Sequence, residues 1–362
     1  MSAPLRAMTK EREKTIHSVE KAIGVRDFTT VPGVLQSRPM PPSARVPTAL
    51  GFLAILFWGT SIAVGRLVMT DIGLILGPFI LTVTSGTIGT IFLFVRPGQI
   101  AKLRALPARY WIVCGGLFVA YIVSYNLGVG MAADRRQLLA FGILNYLWPV
   151  LTLVFSALVS RLRVRPWLGV GVLLAMVGIV LALFARQGSG ASELGTGSLL
   201  SDVRSNPIVY GLGLFCGISW GLYSALGRKL AGPVDANPVP LFFLATALVY
   251  GILLAAGAGR VVGAAVPAAA VAAVGFSPRA IGALAWRALV SDLLAYAFWD
   301  AAMRRGNQVL TATASFFTPL LSTACVALLL RVAPGWQFWA ACLLLVAGAA
   351  VSRFSVGDGP AR

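Results

Sequence analysis

From Val46 to Phe354 the chain alternates long uncharged apolar stretches with short basic or Pro/Gly-rich breaks. Each stretch approaches the ~20 residues that an α-helix needs to cross the hydrocarbon core of a bilayer. Strands of a membrane β-barrel would be about half as long and would alternate in polarity, which these stretches do not. The pattern predicts an all-α polytopic membrane protein with ten transmembrane helices, at 47–69, 73–95, 109–131, 137–160, 166–185, 207–230, 238–258, 279–303, 307–330 and 335–354. Residues 1–46 are polar, basic and proline-bearing and read as a disordered cytoplasmic tail. They have no early apolar core of signal-peptide type, and Met40 stands as an alternative start. Residues 186–206 read as a linker and 355–362 as a C-terminal tail. The Ala-rich stretch 259–275 reads as a loop because of Gly263 and Pro267.

Composition agrees with this picture: 58% of residues are hydrophobic, 12% are charged and the mean hydropathy is +0.83, whereas soluble domains carry roughly a quarter charged residues. The net charge of +18 would suggest nucleic acid in a soluble protein. With the N-terminus placed inside, however, 21 of the 30 Lys and Arg fall in inside segments and 8 in outside ones. That is the cytoplasmic bias of membrane proteins, so the charge reports topology, with both termini cytoplasmic and no nucleic-acid partner. Acids are scarce, and the single histidine, His17, lies in the tail. Cys114, Cys216, Cys325 and Cys342 all sit in apolar stretches and read as small buried hydrophobes. No metal or organic cofactor is implied, and no phosphate-binding Gly-x-x-x-x-Gly-Lys-Ser/Thr run points to ATP hydrolysis. A membrane-embedded enzyme on lipid-linked substrates would need acids, histidines or a metal site that this chain almost entirely lacks.

The most informative feature is an internal repeat. Trp58-Gly59, Ala63, Gly65 and Arg66 recur at constant spacing as Trp220-Gly221, Ala225, Gly227 and Arg228, and Gly51 falls on Gly213. Later in each half, Pro149 falls on Pro319, Tyr146 on Phe316, Leu151 on Leu321, Thr152 on Ser322 and Arg161 on Arg331. Five spans per copy is an odd number, so the halves, 47–185 and 207–354, are expected to enter the membrane from opposite sides. Inverted repeats recur in secondary transporters, with the substrate site near mid-membrane at the repeat interface.

The match becomes more selective at Gly142-x-x-Asn145-Tyr146-Leu147-Trp148-Pro149, Ser315-x-Phe317-Thr318-Pro319, Leu117-Phe118-Val119-x-Tyr121 and Ala295-Tyr296-Ala297-x-Trp299. Over roughly residues 48–354 the chain resembles the drug/metabolite transporter superfamily of EamA type, in its aromatic amino-acid exporter (YddG-type) branch. The resemblance implies an inner-membrane exporter of aromatic amino acids and related metabolites, with no ATP-hydrolysing partner. It also implies a cavity lined by spans one, three, four, six, eight and nine, with spans five and ten as scaffold. A broad-range drug or metabolite exporter is the alternative within transport. Asp292 and Asp300 depart from the family pattern.

Pro149 and Pro319, inside spans four and nine, are expected to act as hinges or to line the site, since an interior proline removes a backbone hydrogen bond. Beside them Asn145, Ser315 and Thr318 offer hydrogen-bonding groups, while Tyr146, Trp148 and Phe316 offer rings for an apolar side chain. Trp58 and Trp220 recur in the repeat at a symmetric place, and Trp58 lies too deep in its span for an interfacial belt, so cavity lining or tight packing is expected. Tyr121, Tyr296 and Trp299 either face the cavity or pack on neighbouring helices, as do Tyr125 and Asn126. Gln137 is placed at the cavity mouth. Asp292 has three open readings: a ligand for a substrate ammonium, a proton carrier, or a structural partner of Arg287. Asp300 reads as a surface partner of Arg304 at i+4. Gly169, Gly171, Gly178, Ala340, Ala341 and Gly348 are small residues suited to close helix contact.

Overall fold

The computed structural model describes residues 42–160, 162–164, 166–184, 203–234, 236–257, 277–306, 311, 314–329, 331 and 334–360. The apolar runs, and the short basic connection at 99–104, fold here as helices. They are α1 Pro42–Gly59, α2 Ser61–Asp71, α3 Leu76–Val95, the short α4 Gln99–Arg104 and α5 Ala108–Met131. α6 Arg135–Asn145, α7 Trp148–Ser160, α8 Trp167–Phe184, α9 Pro207–Ala231 and α10 Val239–Ala255 follow. α11 is the run of Pro278–Ala285, Trp286–Leu294 and Ala295–Arg305, and α12 Thr318–Leu329 and α13 Trp336–Ser355 complete the set. Two stretches wind with wide π turns, Trp111–Gly115 in α5 and Trp286–Leu294 in α11.

Leu76–Val95, Ala108–Met131, Pro207–Ala231 and Pro278–Trp299 are each long and apolar enough to cross a membrane. α1 and α2 pass that test together, bent by 41° at their junction. Large apolar side chains such as Val95, Ile112, Leu158, Leu248 and Leu328 stand exposed on many different helices. So much dispersed apolar surface is unfavourable in water and is what acyl chains cover. The chain is a polytopic helical membrane protein.

Three boundaries differ from the expectation. α1 begins at Pro42, inside the stretch read as tail, because Pro42 opens the helix and Pro47 is accommodated within it. Spans four and nine are each broken just before their proline. The fold is not purely helical either: β1 Leu162–Val164 pairs antiparallel with β2 Val356–Pro360, Leu162 opposite Pro360 and Val164 opposite Val356. Only Val164 and Val356 are of the β-branched type that suits such pairing; the pair ties the residues after α7 to a segment read as a free tail. The 259–275 loop and most of the 186–206 linker lie outside the described residues, as do the Asp300 and Arg304 side chains.

The strongest helix contacts join the two halves of the chain. α1 packs on α11 and on α12; α9 packs on α5 and on α6 and α7. α3 lies against α10, and α8 against α13. Absent side chains set these distances. A Cβ on Gly59 would stand 2.9 Å from the Leu321 Cβ, and one on Gly221 would stand 2.9 Å from the Leu151 Cβ. The repeated glycine thus lets each Trp-Gly helix approach the residue two places after the opposite half's proline. Gly178 abuts the Ala341 carbonyl, and Gly348 meets Gly171 and Ala175, so the small residues of α8 and α13 serve contact within the chain; Gly169 faces open space.

Candidate functional site

The site is organised by the two broken spans. α6 ends at Asn145, a turn follows, and α7 starts at Trp148 with Pro149 as its second residue. In the other half a 3₁₀ turn, Ser315–Phe317, precedes α12, whose second residue is Pro319. Pro149 therefore occupies a first helical turn, where an N–H has no intrahelical acceptor and its loss costs little; Pro319 follows a turn of tighter 3₁₀ winding. The expected proline kink inside a continuous helix is replaced by a break. The Tyr146 N–H donates to the Gly142 carbonyl and the Leu147 N–H to the Leu144 carbonyl, closing the first half's turn. The Thr318 hydroxyl donates to the Ser315 carbonyl at 2.6 Å, closing the second.

These breaks face a cavity of ≈ 40 Å³ lined by Trp58, Ser61, Tyr121, Ile122, Tyr125, Asn145, Tyr146, Trp148, Trp220, Arg287, Asp292, Tyr296 and Thr318. The lining comes from α1, α2, α5, both sides of the α6–α7 break, α9, α11 and α12; among the described residues α8 and α13 contribute nothing to it. At its centre the two repeated tryptophans meet edge to face, ring centroids 6.5 Å apart. Trp58 packs on Tyr296 at 5.1 Å and Trp220 on Tyr121 at 4.8 Å, with Trp148 also against Trp220.

The polar side of the lining is incompletely satisfied. Ser61 Oγ, Asn145 Oδ1 and Arg287 Nε are buried without a hydrogen-bond partner, an arrangement that is costly unless water or a ligand completes it. Arg287 forms an ion pair with Asp292, each side chain 5% exposed, and its guanidinium lies 5.7 Å from the Tyr125 ring centroid. Among the described residues no group of three His, Cys, Asp or Glu is placed to hold a metal ion.

Some expected residues lie elsewhere. Gln137 is buried at the start of α6, where its Oε1 accepts from Asn206 Nδ2 at 2.8 Å and from the Ala133 N–H. It fastens the approach to α9 onto the α5–α6 turn. Trp299 stands behind Trp58, ring centroids 5.2 Å apart. Ser315 is buried in the 3₁₀ turn outside the lining, and the Phe316 side chain lies outside the described residues.

No family model matches the chain. It is 31% identical over 302 residues to the aromatic amino acid exporter YddG of Salmonella typhimurium, covering 83% of this chain and 94% of that protein. The chain belongs to the YddG exporter family. The proteins of the same name from Ancylobacter novellus and Escherichia coli K12 are 30% and 28% identical, covering 84% and 83% of this chain and 96% and 94% of theirs. One solved crystal structure, 27% identical, superposes with a TM-score of 0.57 and covers 85% of this chain and 96% of its own.

Within this YddG-family chain, the lining residues Ser61 and Ile122 escape the sequence reading of the site. Tyr125 follows Tyr121 at i+4 and shares its face. Ser61 and Ile122 are unremarkable in type. Arg287, expected only as a structural partner of Asp292, also lines the cavity, although a spacing of five positions places the two on different faces of an ordinary α-helix.

Proposed function

We propose that this protein exports aromatic amino acids and related metabolites across the bacterial inner membrane by alternating access, with this cavity as the substrate site. The observation that carries the reading is an aromatic cage with unpartnered polar atoms, Asn145 Oδ1 and Ser61 Oγ, built where equivalent elements of both halves meet. Rings accept an apolar aromatic side chain by edge and face contacts, and a buried amide oxygen accepts from an ammonium. Trp58, Tyr121, Tyr146, Trp148, Trp220 and Tyr296 form the cage. Asn145 and Thr318 stand at its polar rim beside the hinges at Pro149 and Pro319.

Ten spans in two inverted five-helix repeats, 47–185 and 207–354, complete the reading, with both termini cytoplasmic. Support comes from the cross-half contacts: α1 on α11 is matched by α9 on α5, and α1 on α12 by α9 on α6 and α7. In this arrangement the protein transports and does not catalyse, and it needs neither a cofactor nor an ATP-hydrolysing partner. A space of ≈ 40 Å³ holds only a few waters at about 10–15 Å³ each. An aromatic amino acid enters only once rings swing aside, as a cycle between open and narrowed states requires.

The test is uptake of labelled phenylalanine by liposomes containing the purified protein, with and without an imposed pH gradient. Saturable flux without the gradient is expected, and Asn145→Ala should raise the half-saturating concentration about tenfold, the equivalent of one lost hydrogen bond to a charged group. An absence of phenylalanine, tyrosine and tryptophan flux under either condition would rule the reading out. Reporter fusions that place the termini on opposite sides would overturn the inverted repeat.

A further inference from the structure

The nine-residue wide-turn segment of α11 has a chemical result. Residues five apart in an α-helix point about 140° away from each other. Where π turns close with i to i+5 bonds, they return to nearly one face. Trp286–Leu294 is wound this way, and Arg287 and Asp292 consequently form an ion pair inside the cavity, both buried. The pair leaves the guanidinium unfinished: Nε has no partner, while the Tyr125 ring covers one face of the group. Stability does not account for it, because a buried ion pair is often matched or bettered by two apolar residues of similar size.

We propose that Arg287 and Asp292 read the two charges of the substrate, an inference that rests on the cavity being the substrate site. In the empty protein each charge neutralises the other. When an amino acid enters, its carboxylate takes Arg287 and its ammonium takes Asp292, so one internal ion pair is exchanged for two with the ligand. The net charge of the buried site stays at zero throughout. A zwitterion alone satisfies both partners. An amine without a carboxylate leaves Arg287 buried and unpaired, and an acid without an amine does the same to Asp292. Leaving a buried charge without its partner is the more severe penalty, so selection comes from rejecting half-matched ligands as much as from holding the matched one. Among the described lining residues the first half of the chain holds no such pair: α5 contributes Tyr121, Ile122 and Tyr125.

Competition against labelled phenylalanine in liposomes holding the full-length protein tests this. The competitors are unlabelled phenylalanine, phenethylamine, which lacks the carboxylate, and 3-phenylpropionate, which lacks the ammonium. For the wild type each analogue is expected to compete at least about tenfold more weakly than phenylalanine. In Arg287→Met/Asp292→Leu, which strands no charge, the three should fall within about threefold of one another. The reversed pair, Arg287→Asp/Asp292→Arg, should restore much of the preference for phenylalanine. Where a variant has lost flux, the same ranking is read from the shift each compound gives in the melting temperature of the purified protein. Phenethylamine competing as well as phenylalanine against the wild type overturns the proposal. So does a doubly neutral variant that keeps the wild-type ranking, the result a purely structural pair would give. Failure of the underlying reading looks different: the wild type itself would neither carry phenylalanine nor be stabilised by it, and the charge-reading role would fall with it.

Discussion

The same Trp-Gly signature is built twice and folds two ways. Gly59 and Gly221 do identical work, each letting its helix close on a leucine of the opposite half at 2.9 Å. After that the copies part. The first bends by 41° at Thr60; the second continues without interruption from Pro207 to Ala231. The Thr60 hydroxyl donates to the Phe57 carbonyl at 2.7 Å, accepts from Trp286 Nε1 at 2.9 Å and lies 3.3 Å from the Ser291 hydroxyl. Leu222, at the equivalent place, has no oxygen to offer. One hydroxyl clipped to the wide-turn segment of α11 thus separates a bent copy from a straight one. Under the alternating access proposed above, such a difference between equivalent elements is what would distinguish the two faces at a given moment. Trp286 and Ser291 flank Arg287 and Asp292 in sequence, so the residues that hold the bend adjoin the buried charges.

The tryptophans sharpen the contrast most. Trp220 is surrounded by Phe118, Tyr121, Trp148, Tyr223 and Tyr296 as well as Trp58, whereas Trp58 has Tyr296 and Trp299 besides Trp220. Trp220→Ala should therefore destabilise by about 3–5 kcal/mol, near the top of the range for such truncations, and Trp58→Ala by less. Thermal melting of the purified variants measures the difference; equal losses would break the comparison. Gly59→Val and Gly221→Val come next and should behave alike. Each forces a helix off a leucine at a cost of about 1–3 kcal/mol, with a matching fall in liposome flux. A large effect at only one of them would mean that the two approaches are not equivalent.

Thr60→Val should cost about 1–2 kcal/mol by leaving the Trp286 N–H without its acceptor, with faster amide exchange around residues 57–64. The mirror change, Leu222→Thr, should leave the exchange of α9 within error. The smallest effect is expected at Arg66, whose Nη1 donates to the Val129 and Gly130 carbonyls at 2.9 and 2.8 Å and so fastens the end of α5. Arg66→Met should lower stability by about 1 kcal/mol in the same melting assay.

Much of this was legible in the residues. Apolar runs marked the helices, because a chain in lipid must satisfy its backbone within each segment. Repetition singled out Trp58 and Trp220, and the paired prolines drew attention to Asn145, Tyr146, Trp148 and Thr318. What stayed hidden depends on backbone winding or on distant partners. Nothing in the types of residues 286–294 announces π turns, so the pairing of Arg287 with Asp292 stood only as one reading of Asp292 among several. Gln137 is held by Asn206, a partner 69 positions away. The break ahead of Pro149 is likewise a property of how α6 and α7 meet α9, and the proline alone predicts only some disturbance.

The crowding of Trp58, Trp148 and Trp220, with centroids 6.5 and 6.4 Å apart across nearly perpendicular rings, has an optical consequence. Indoles so close and so fixed in angle couple their electronic transitions and give paired circular-dichroism bands of opposite sign. A guest that pries the rings apart weakens that coupling, and phenylalanine itself absorbs only weakly where indole does. With the cavity as the proposed substrate site, the protein carries a built-in, label-free reporter of its own filling and emptying.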